Sequence, residues 1–386
     1  MKRVILIVMD GCGVGAMPDA AQYGAADTQS ATLPHVADAV GGLHLPCLHS
    51  LGMGNIVPIL GIAPGPARGG WGRMAEASQG KDSVTGHWEL MGSITKRAFP
   101  TYPHGFPAEL LLRFEQEIGR GTLGNCASSG TEILAQLGAE HIKTGRPIVY
   151  TSADSVFQVA AHEDVIPVGE LYAMCETARR LLQAPNNVQR VIARPFVGDT
   201  PQTFRRTEHR KDYPLDPPPG NLLQVLQDNG KTTHAIGVVA DLFPRSCFVK
   251  AERTQNNPAH LAALLHAVQS GAEDLVFANC EDFDMLYGHR NDASGFAQCL
   301  RDFDSALPAI RDALRVGDLL IITADHGNDP TTASTDHSRE YVPLLAFAPN
   351  GVMQDNLGTR ATFADVSAAI AAWLGVLWTG PGTPFP

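Results

Sequence analysis

The sequence predicts an α/β fold, in which a core domain with a mostly parallel β-sheet is covered by helices and carries a smaller inserted α/β domain. Several short apolar runs are rich in Val, Ile and Leu without alternation, which is typical of strands buried on both faces. Helix-like stretches lie between most of these runs, as in α/β domains. The middle of the chain lacks this regular pattern, which indicates an insertion.

The core elements are predicted at both ends of the chain. Five apolar runs are predicted strands: residues 4–9, 235–239, 275–278, 319–322 and 342–347. The helices predicted between them cover residues 221–228, 258–270 and 294–314. Residues 108–118 have a helical pattern, and residues 185–220 are crowded with Pro, Arg and polar groups. We therefore expect residues 1–97 and 217–386 to form the core domain and residues 98–216 the inserted domain.

Composition excludes several classes of partner. The chain has 386 residues, of which 44% are apolar and 18% charged, as in ordinary globular proteins. A net charge of −11 argues against nucleic-acid binding, which needs a basic face.

No segment approaches the roughly 20 apolar residues of a membrane span, and the run after the N-terminus stops at Asp10, too early for a signal peptide. Seven scattered cysteines without a C-x-x-C pair indicate reduced thiols, so a cytoplasmic protein is expected. A monomer is expected as well, although no sequence pattern fixes the oligomeric state.

Carboxylates follow three of the predicted strands. Asp10 ends the first run, Asp284 comes shortly after the third, and Asp325 with His326 ends the fourth. Ligands of parallel α/β sheets bind beyond the carboxyl ends of the strands, so these side chains are expected at one edge. Such crowding of carboxylates is repulsive unless a cation compensates it.

Histidines complete a set of candidate metal ligands. The spacing of Asp284 and His289 suits a loop that folds back around an ion, and His337 lies eleven residues after His326. Together with Asp10 and Asp325, this gives three carboxylates and three imidazoles, which is enough for two cations. Oxygen and nitrogen donors without sulfur favour Mn²⁺, Zn²⁺ or Mg²⁺. Paired metal ions commonly assist phosphoryl transfer, which is the reaction this set suits.

A nucleophile for phosphoryl transfer is expected near a helix N-terminus, where free backbone N–H groups donate hydrogen bonds to phosphate oxygens. The segment GKDSVTGHWELMG, residues 80–92, places Ser83 and Thr85 just before a helix-like stretch. Either hydroxyl can be the nucleophile or an ordinary helix cap. The spacing does not choose between them.

Six segments resemble the phosphopentomutase family of the alkaline phosphatase superfamily. They are MDGCGVG, GKDSVTGHWELMG, YTSADSVFQVAAHE, RVIARPFVG, DFDMLYGHR and TADHGNDPTTASTDHSREYVP, and they occur in the family's order from residue 1 to about residue 375. The resemblance implies an alkaline-phosphatase-like core with an inserted cap. It also implies an isomerase that moves phosphate between C1 and C5 of ribose or 2-deoxyribose, with two manganese ions per chain and a sugar bisphosphate as the priming activator.

The resemblance also implies roles for individual residues. Asp10, Asp325 and His326 would hold one metal ion, and Asp284, His289 and His337 the other. The phosphorylated position aligns with Ser83, where familiar members carry threonine. In the cap, the implied sugar-site and phosphate-site residues are Ser152, Asp154, Val156, Arg190 and Arg206.

Two alternative functions are compatible with the same residues. One is a metal-dependent phosphatase or a phosphoglycerate-mutase-like enzyme on the same core. The other is a catalytically silent metal-binding or sensor protein, against which Ser83 beside a full ligand set argues. A cap that excludes water would distinguish the mutase, because hydrolysis of the phosphorylated serine leaves the enzyme inactive until it is primed again.

Overall fold

The structure is a computed structural model that describes residues 2–152, 155–351 and 356–385. The chain divides into two compact units. The core unit comprises Met1–Ala98 and Pro217–Pro386, and the inserted unit comprises Phe99–Asp216. No helix among the described residues is both long and apolar enough to cross a membrane.

The core unit is built on one mixed sheet. Among the described residues its strands are β1 (Arg3–Met9), β2 (Gly70–Met74), β9 (Thr233–Ile236), β10 (Lys250–Glu252), β11 (Leu275–Cys280), β12 (Asp318–Thr323), β13 (Val342–Phe347) and β14 (Asn356–Arg360). Their spatial order is β10-β9-β11-β1-β12-β13-β2-β14. The strands from β10 to β12 are mutually parallel, whereas β13 is antiparallel to β12 and β2.

Helices cover this sheet. They are α1 (Thr32–Ala39), α2 (Pro46–Leu51), α3 (Ser83–Leu90), α7 (Leu222–Asp228), α8 (Val239–Leu242), α9 (Asn257–Ser270), α10 (Ala293–Asp312) and α11 (Ala364–Leu374). Asn221 begins α7 and Asn256 begins α9, because each side chain accepts a hydrogen bond from a first-turn amide. The α/β class with a mostly parallel sheet is thereby confirmed.

The register of the central strands brings their carboxyl ends together. Met9 of β1 pairs with Cys280 of β11, and Val8 pairs with Thr323 of β12. All residues of these three strands are buried, as their uninterrupted apolar runs predict. The residues that follow them therefore emerge at one edge of the sheet.

Three details of the predicted sheet were wrong. The run at 342–347 forms a strand, but it is antiparallel, because full burial on both faces produces the same composition in either direction. The run at 235–239 stops being a strand after Ile236, since Gly237 has a positive φ of 75° that ends the extended chain. Strands β2, β10 and β14 were not predicted because they are short and contain glycine or charged residues.

The inserted unit has its own sheet and its own core. Its strands are β3 (Leu123–Ala127), β4 (Ile148–Thr151), β5 (Val156–His162), β6 (Arg190–Val197), β7 (Arg205–Arg206) and β8 (Lys211–Pro214). They lie in the order β3-β4-β5-β6-β7, with β8 also paired to β6. Helices α4 (Ala108–Ile118) and α6 (Val168–Leu181) supply Phe114 and Leu171 to one apolar cluster, and α5 (Gly130–Thr144) supplies Ile133 to a second.

Candidate metal centre

Asp10, Asp325 and His326 form the first cluster of possible metal ligands. One donor atom from each lies within 4.8 Å of the others, and all three residues are buried. His326 Nε2 is 3.3 Å from Asp10 Oδ1 and 3.4 Å from Asp325 Oδ2. The ends of β1 and β12 position these side chains, as the sequence predicted from the carboxylates that follow each run.

The donor atoms of this cluster fit a cation. His326 Nδ1 is 3.1 Å from the carbonyl oxygen of Gly327 and donates its proton there, so the neutral ring has its lone pair on Nε2, as a metal ligand needs. Asp10 Oδ1 is buried without a hydrogen-bond donor among the described residues, and Asp325 Oδ2 is buried 3.1 Å from His87 Nδ1. Burial and the neighbouring Asp325 carboxylate raise the pKa of Asp10 to about 6. Three lone pairs directed into one small space are stabilised by a divalent metal ion.

A second cluster adjoins the first. Donor atoms of Asp284, His326 and His337 lie within 4.8 Å of one another. His289 belongs to the same group, because its Nε2 is 3.0 Å from Asp284 Oδ2 and 3.1 Å from His337 Nε2. The rings of His326 and His337 stack with centroids 3.9 Å apart. The structure thus brings all six predicted ligand residues into two neighbouring clusters, with His326 at their junction.

The local backbone explains the spacing of Asp284 and His289. Asp284 lies in a π-helical turn, Phe283–Tyr287, and His289 lies in the 3₁₀ turn that follows it. A π-helix brings residues five apart onto one side, which matches this pair. The sequence predicted a loop here, and that detail was wrong because the motif forms tightly wound turns.

Ser83 is directed at the junction of the clusters. Its Oγ is 3.0 Å from His326 Nε2. Thr85 has a different role, because its Oγ1 bonds to Asp82 and Asp82 Oδ1 accepts the amide protons of Val84 and Thr85 in a capping box. The structure therefore separates the two candidate hydroxyls: Thr85 completes the capping box of α3, and Ser83 faces the candidate metal ligands. The amides of Val84 and Thr85 already donate to Asp82 Oδ1, so in this arrangement they do not donate to a phosphate oxygen.

His87 is a residue of this site that sequence reasoning missed. It is fully buried one turn after Ser83, and its Nδ1 lies 2.8 Å from the Ser83 carbonyl oxygen and 3.1 Å from Asp325 Oδ2. It therefore links the helix that carries Ser83 to the strand end that carries Asp325. The sequence feature that could have indicated His87 is its place in the motif TGHWE.

Two asparagines, which were also missed, hold the carboxylates. Asn279 Nδ2 donates to Asp10 Oδ2 at 2.6 Å, and Asn328 Nδ2 donates to Asp284 Oδ1 at 2.6 Å. Each amide orients a carboxylate of one cluster, as outer hydrogen bonds do in metal sites. Asn279 follows a predicted strand and Asn328 follows His326, but the residue type alone did not indicate this role.

Two buried charged residues join the loops around the centre. Glu340 accepts hydrogen bonds from the Gly15 amide, from Thr32 and from the Ser338 hydroxyl. Arg339 pairs with Glu76 and donates to the Gly80 carbonyl oxygen, three residues before Ser83. Apart from the contact between Ser338 and Glu340, these contacts join residues more than 250 positions apart in sequence, so no local pattern reveals them.

The predicted substrate residues lie in the inserted unit. Ser152, Val156, Arg190 and Arg206 line one cavity of about 300 Å³. The predicted residue Asp154 lies outside the described residues. Arg194 and Arg210 line the same cavity and were not singled out from the sequence.

Comparison with known proteins agrees with this site. The model of the Metalloenzyme superfamily matches residues 2–377. A phosphopentomutase of Caldanaerobacter subterraneus is 51% identical over 386 residues, covering 100% of this chain and 97% of that protein. A phosphopentomutase of Carboxydothermus hydrogenoformans is 52% identical over 377 residues, covering 97% and 96%.

Among solved structures, a protein from Pyrococcus horikoshii matches with a TM-score of 0.51 at 15% identity, covering 97% of each chain, which supports the fold. Full-length identity of about one half, a superfamily match and clustered metal ligands agree with one another. The chain therefore belongs to the phosphopentomutase family, the metal-binding isomerases of the alkaline-phosphatase-like metalloenzyme superfamily.

Proposed function

We propose that the chain interconverts ribose 1-phosphate or 2-deoxyribose 1-phosphate with the corresponding 5-phosphate. The reaction proceeds through a phosphorylated Ser83 and a sugar bisphosphate, and it depends on two Mn²⁺ ions. The observation that carries the proposal is the position of Ser83 Oγ, 3.0 Å from His326 Nε2 at the junction of the two clusters. The names of the relatives supply the substrate class.

The two clusters would each hold one ion. Asp10, Asp325 and His326 provide the first set of ligands, and Asp284, His289 and His337 the second. Their oxygen and nitrogen donors suit Mn²⁺. When bound, such ions stabilise charge on the transferring phosphoryl group and lower the pKa of an attacking oxygen.

Ser83 begins each cycle phosphorylated, after priming by a sugar bisphosphate. The free hydroxyl of a bound pentose phosphate attacks the phosphorus atom, the bond to Ser83 Oγ breaks, and the hydroxyl proton is released. The resulting bisphosphate then reorients in the site, so that its other phosphate faces Ser83. Ser83 Oγ then attacks the other phosphorus atom, and the bond from that phosphorus to the sugar oxygen breaks. The sugar oxygen takes up a proton, which leaves the isomeric monophosphate and restores the phosphorylated serine.

The inserted unit would act as the cap. Arg190 and Arg206 are proposed to bind the phosphate that is not being transferred, because a guanidinium group can donate two parallel hydrogen bonds to two phosphate oxygens. Ser152, Asp154 and Val156 are proposed at the sugar. A cap that closes over the substrate keeps water from the phosphorylated serine. The scattered free cysteines fit an enzyme of the cytoplasm.

A conversion assay tests the proposal. Ribose 1-phosphate and 2-deoxyribose 1-phosphate are each incubated with protein, Mn²⁺ and a sugar bisphosphate, and both the 5-phosphate and inorganic phosphate are measured. The proposal predicts metal-dependent 5-phosphate with little inorganic phosphate. Inorganic phosphate as the main product would indicate a phosphatase, and turnover of 3-phosphoglycerate in its place would indicate a phosphoglycerate-mutase-like enzyme.

A further inference from the structure

Four arginines surround the cavity in the inserted unit. They are Arg190 and Arg194 of β6, Arg206 of β7 and Arg210, which precedes β8. Every second side chain on a strand lies on the same face, so Arg190 and Arg194, which are four residues apart, line one cavity. Arg194 and Arg210 have no assigned role, and the first turn of α5 also lines the cavity, at Gly130.

The walls of this cavity concentrate positive charge. Helix α5 is 15 residues long and begins at Gly130, so the positive end of its dipole lies at the cavity. A side chain at position 130 would collide with the Arg206 guanidinium, which therefore lies against the first helical turn. Burial, together with Arg210 and Arg206, lowers the pKa of Arg194 to about 10, so that it still carries its charge at neutral pH. Like charges held this close are stabilised by a bound anion.

One carboxylate organises part of the cluster. Asp212 of β8 accepts hydrogen bonds from Arg210 Nε at 2.7 Å and from Arg210 Nη2 at 2.8 Å, and its Oδ2 is 3.5 Å from Arg190 Nη1. Arg194 differs, because its Nε donates to Gln158 Oε1 at 3.0 Å. Among the described residues no carboxylate pairs with Arg194 or Arg206. Their outer nitrogens are therefore suited to the oxygens of a phosphate.

We propose that Arg194 is a third guanidinium ligand of the substrate's non-transferring phosphate, and that Asp212 is a positioning residue that orients Arg190 and Arg210. This inference rests on the proposed pentose-phosphate chemistry and extends it. The bond to Gln158 fixes the plane of the Arg194 guanidinium and leaves its Nη edge for two phosphate oxygens. A phosphate dianion at this place also relieves the repulsion among the arginines.

The Arg194 part is tested with Arg194→Met and Arg194→Lys. The control is Arg180→Met, which removes an exposed arginine of α6 paired with Glu117. Loss of a charge-assisted hydrogen-bonded contact is expected to raise the KM for ribose 5-phosphate by about 10- to 100-fold in Arg194→Met, with a smaller change in kcat. Arg194→Lys should recover part of this loss, and the control should match wild type.

A binding measurement distinguishes a failure of the Arg194 inference from a failure of the proposed reaction. Calorimetric titration of Mn²⁺-loaded Ser83→Ala protein with ribose 5-phosphate needs no turnover. The double variant Ser83→Ala/Arg194→Met should bind ribose 5-phosphate with a Kd about 10- to 100-fold higher than Ser83→Ala alone. An unchanged Kd and KM in Arg194→Met would overturn the role of Arg194, whereas absent turnover of wild type with intact binding would overturn only the proposed reaction.

The Asp212 part is tested with Asp212→Asn, which keeps the shape of the side chain but removes its charge. The KM for ribose 5-phosphate should rise about 3- to 10-fold with kcat nearly unchanged, because the two arginines remain present but less ordered. A purely structural role would lower the midpoint of thermal unfolding without moving KM. That result would overturn the positioning role.

Discussion

Ser83 is the side chain on which the proposed chemistry depends. Replacing it with alanine removes the oxygen that lies 3.0 Å from His326 Nε2 and should lower mutase turnover by at least about 1000-fold. Ser83→Thr keeps the hydroxyl and adds one methyl, so its turnover should stay within about tenfold of wild type. Steady-state kinetics and radiolabelling of the protein by a labelled sugar bisphosphate would measure both effects. Full turnover in Ser83→Ala would rule out Ser83 as the nucleophile.

Asn279 tests whether outer hydrogen bonds hold the metal ligands. Asn279→Ala removes the 2.6 Å bond to Asp10 Oδ2 and should weaken Mn²⁺ binding by about 10- to 100-fold. Calorimetric titration of metal-free protein gives this affinity. Asn229→Ala, at the exposed end of α7, is the matched control and should leave it unchanged. Equal affinities in the two variants would contradict the support role of Asn279.

At the residue scale, the sequence indicated ionisable groups better than amides. Asp10, Asp284, Asp325 and His326 could be singled out as candidate metal ligands because each ends or follows an apolar run, and charged groups crowded at one edge imply a cation. His289 and His337 were singled out by their spacing from these residues. Asn279 and Asn328 could not be predicted, since a neutral amide is common in turns and its donation depends on side-chain direction.

At the element scale, helix α3 lies directly against the end of β12. A Cβ at Gly86 would overlap the carbonyl oxygen and the Cβ of Asp325, so only glycine allows this approach. Gly86→Ala should lower the free energy of unfolding by about 1 to 3 kcal/mol and reduce turnover, because the helix that carries Ser83 must move. Urea unfolding and kinetics would measure this.

Gly169→Ala in α6 is the control for Gly86→Ala, because a Cβ there meets no atom within 4 Å. It should be neutral or slightly stabilising. The same response in both variants would show that α3 does not need the close contact with Asp325.

His141 of α5 gives the inserted unit a predicted pH dependence. Its Nδ1 donates to the Arg146 carbonyl oxygen at 2.7 Å, and its Nε2 accepts the His162 amide at 2.8 Å, so both nitrogens are used by the neutral ring. Burial lowers the pKa of His141 below its usual value of about 6.5. The unfolded chain therefore binds the proton more readily than the folded one. The contribution of His141 to the free energy of unfolding is therefore fully present above a pH of about 6.5, and it is lost as the pH falls toward the folded-state pKa.

His141→Gln provides the comparison. It should be less stable than wild type at pH 7.5, because it loses this bonded ring, and its stability should fall less steeply between pH 6.5 and 5. Urea unfolding at several pH values measures both quantities. Equal slopes for the two proteins would contradict the assignment of the titration to His141.

Elements were predicted well where an apolar run coincides with full burial, as in β1, β11 and β12. The direction of β13 could not be predicted, because direction depends on where the preceding loop returns. The π-helical turn at Phe283–Tyr287 was also beyond reach, since a one-residue change in helical winding leaves little trace in composition.

At the scale of the whole molecule, the inserted unit is expected to separate a mutase from a phosphatase. The chain leaves the core after Ala98 and returns at Pro217, and the inserted unit has its own sheet and apolar clusters. Replacing residues 98–216 with a short linker should abolish isomerisation and leave weak Mn²⁺-dependent phosphatase activity, because water then reaches the phosphorylated serine. Assays of 5-phosphate and inorganic phosphate measure the change, and unchanged isomerisation would refute the proposed cap.

Contacts that join distant parts of the chain were beyond sequence reasoning. Glu340 reaches Thr32 across 308 positions and Arg339 reaches Glu76 across 263, and each contact forms only when several loops meet. The sequence indicates that the ligand-bearing strand ends converge, but it does not reveal the buried charges that hold the loops there.

The central claim is that two metal ions bind side by side at Ser83. Anomalous diffraction from Mn²⁺-soaked crystals, collected at the manganese absorption edge, tests it most directly. Two strong peaks are predicted, one among Asp10, Asp325 and His326 and one among Asp284, His289 and His337, both adjacent to Ser83 Oγ. A single peak, or none at these residues, would contradict the claim.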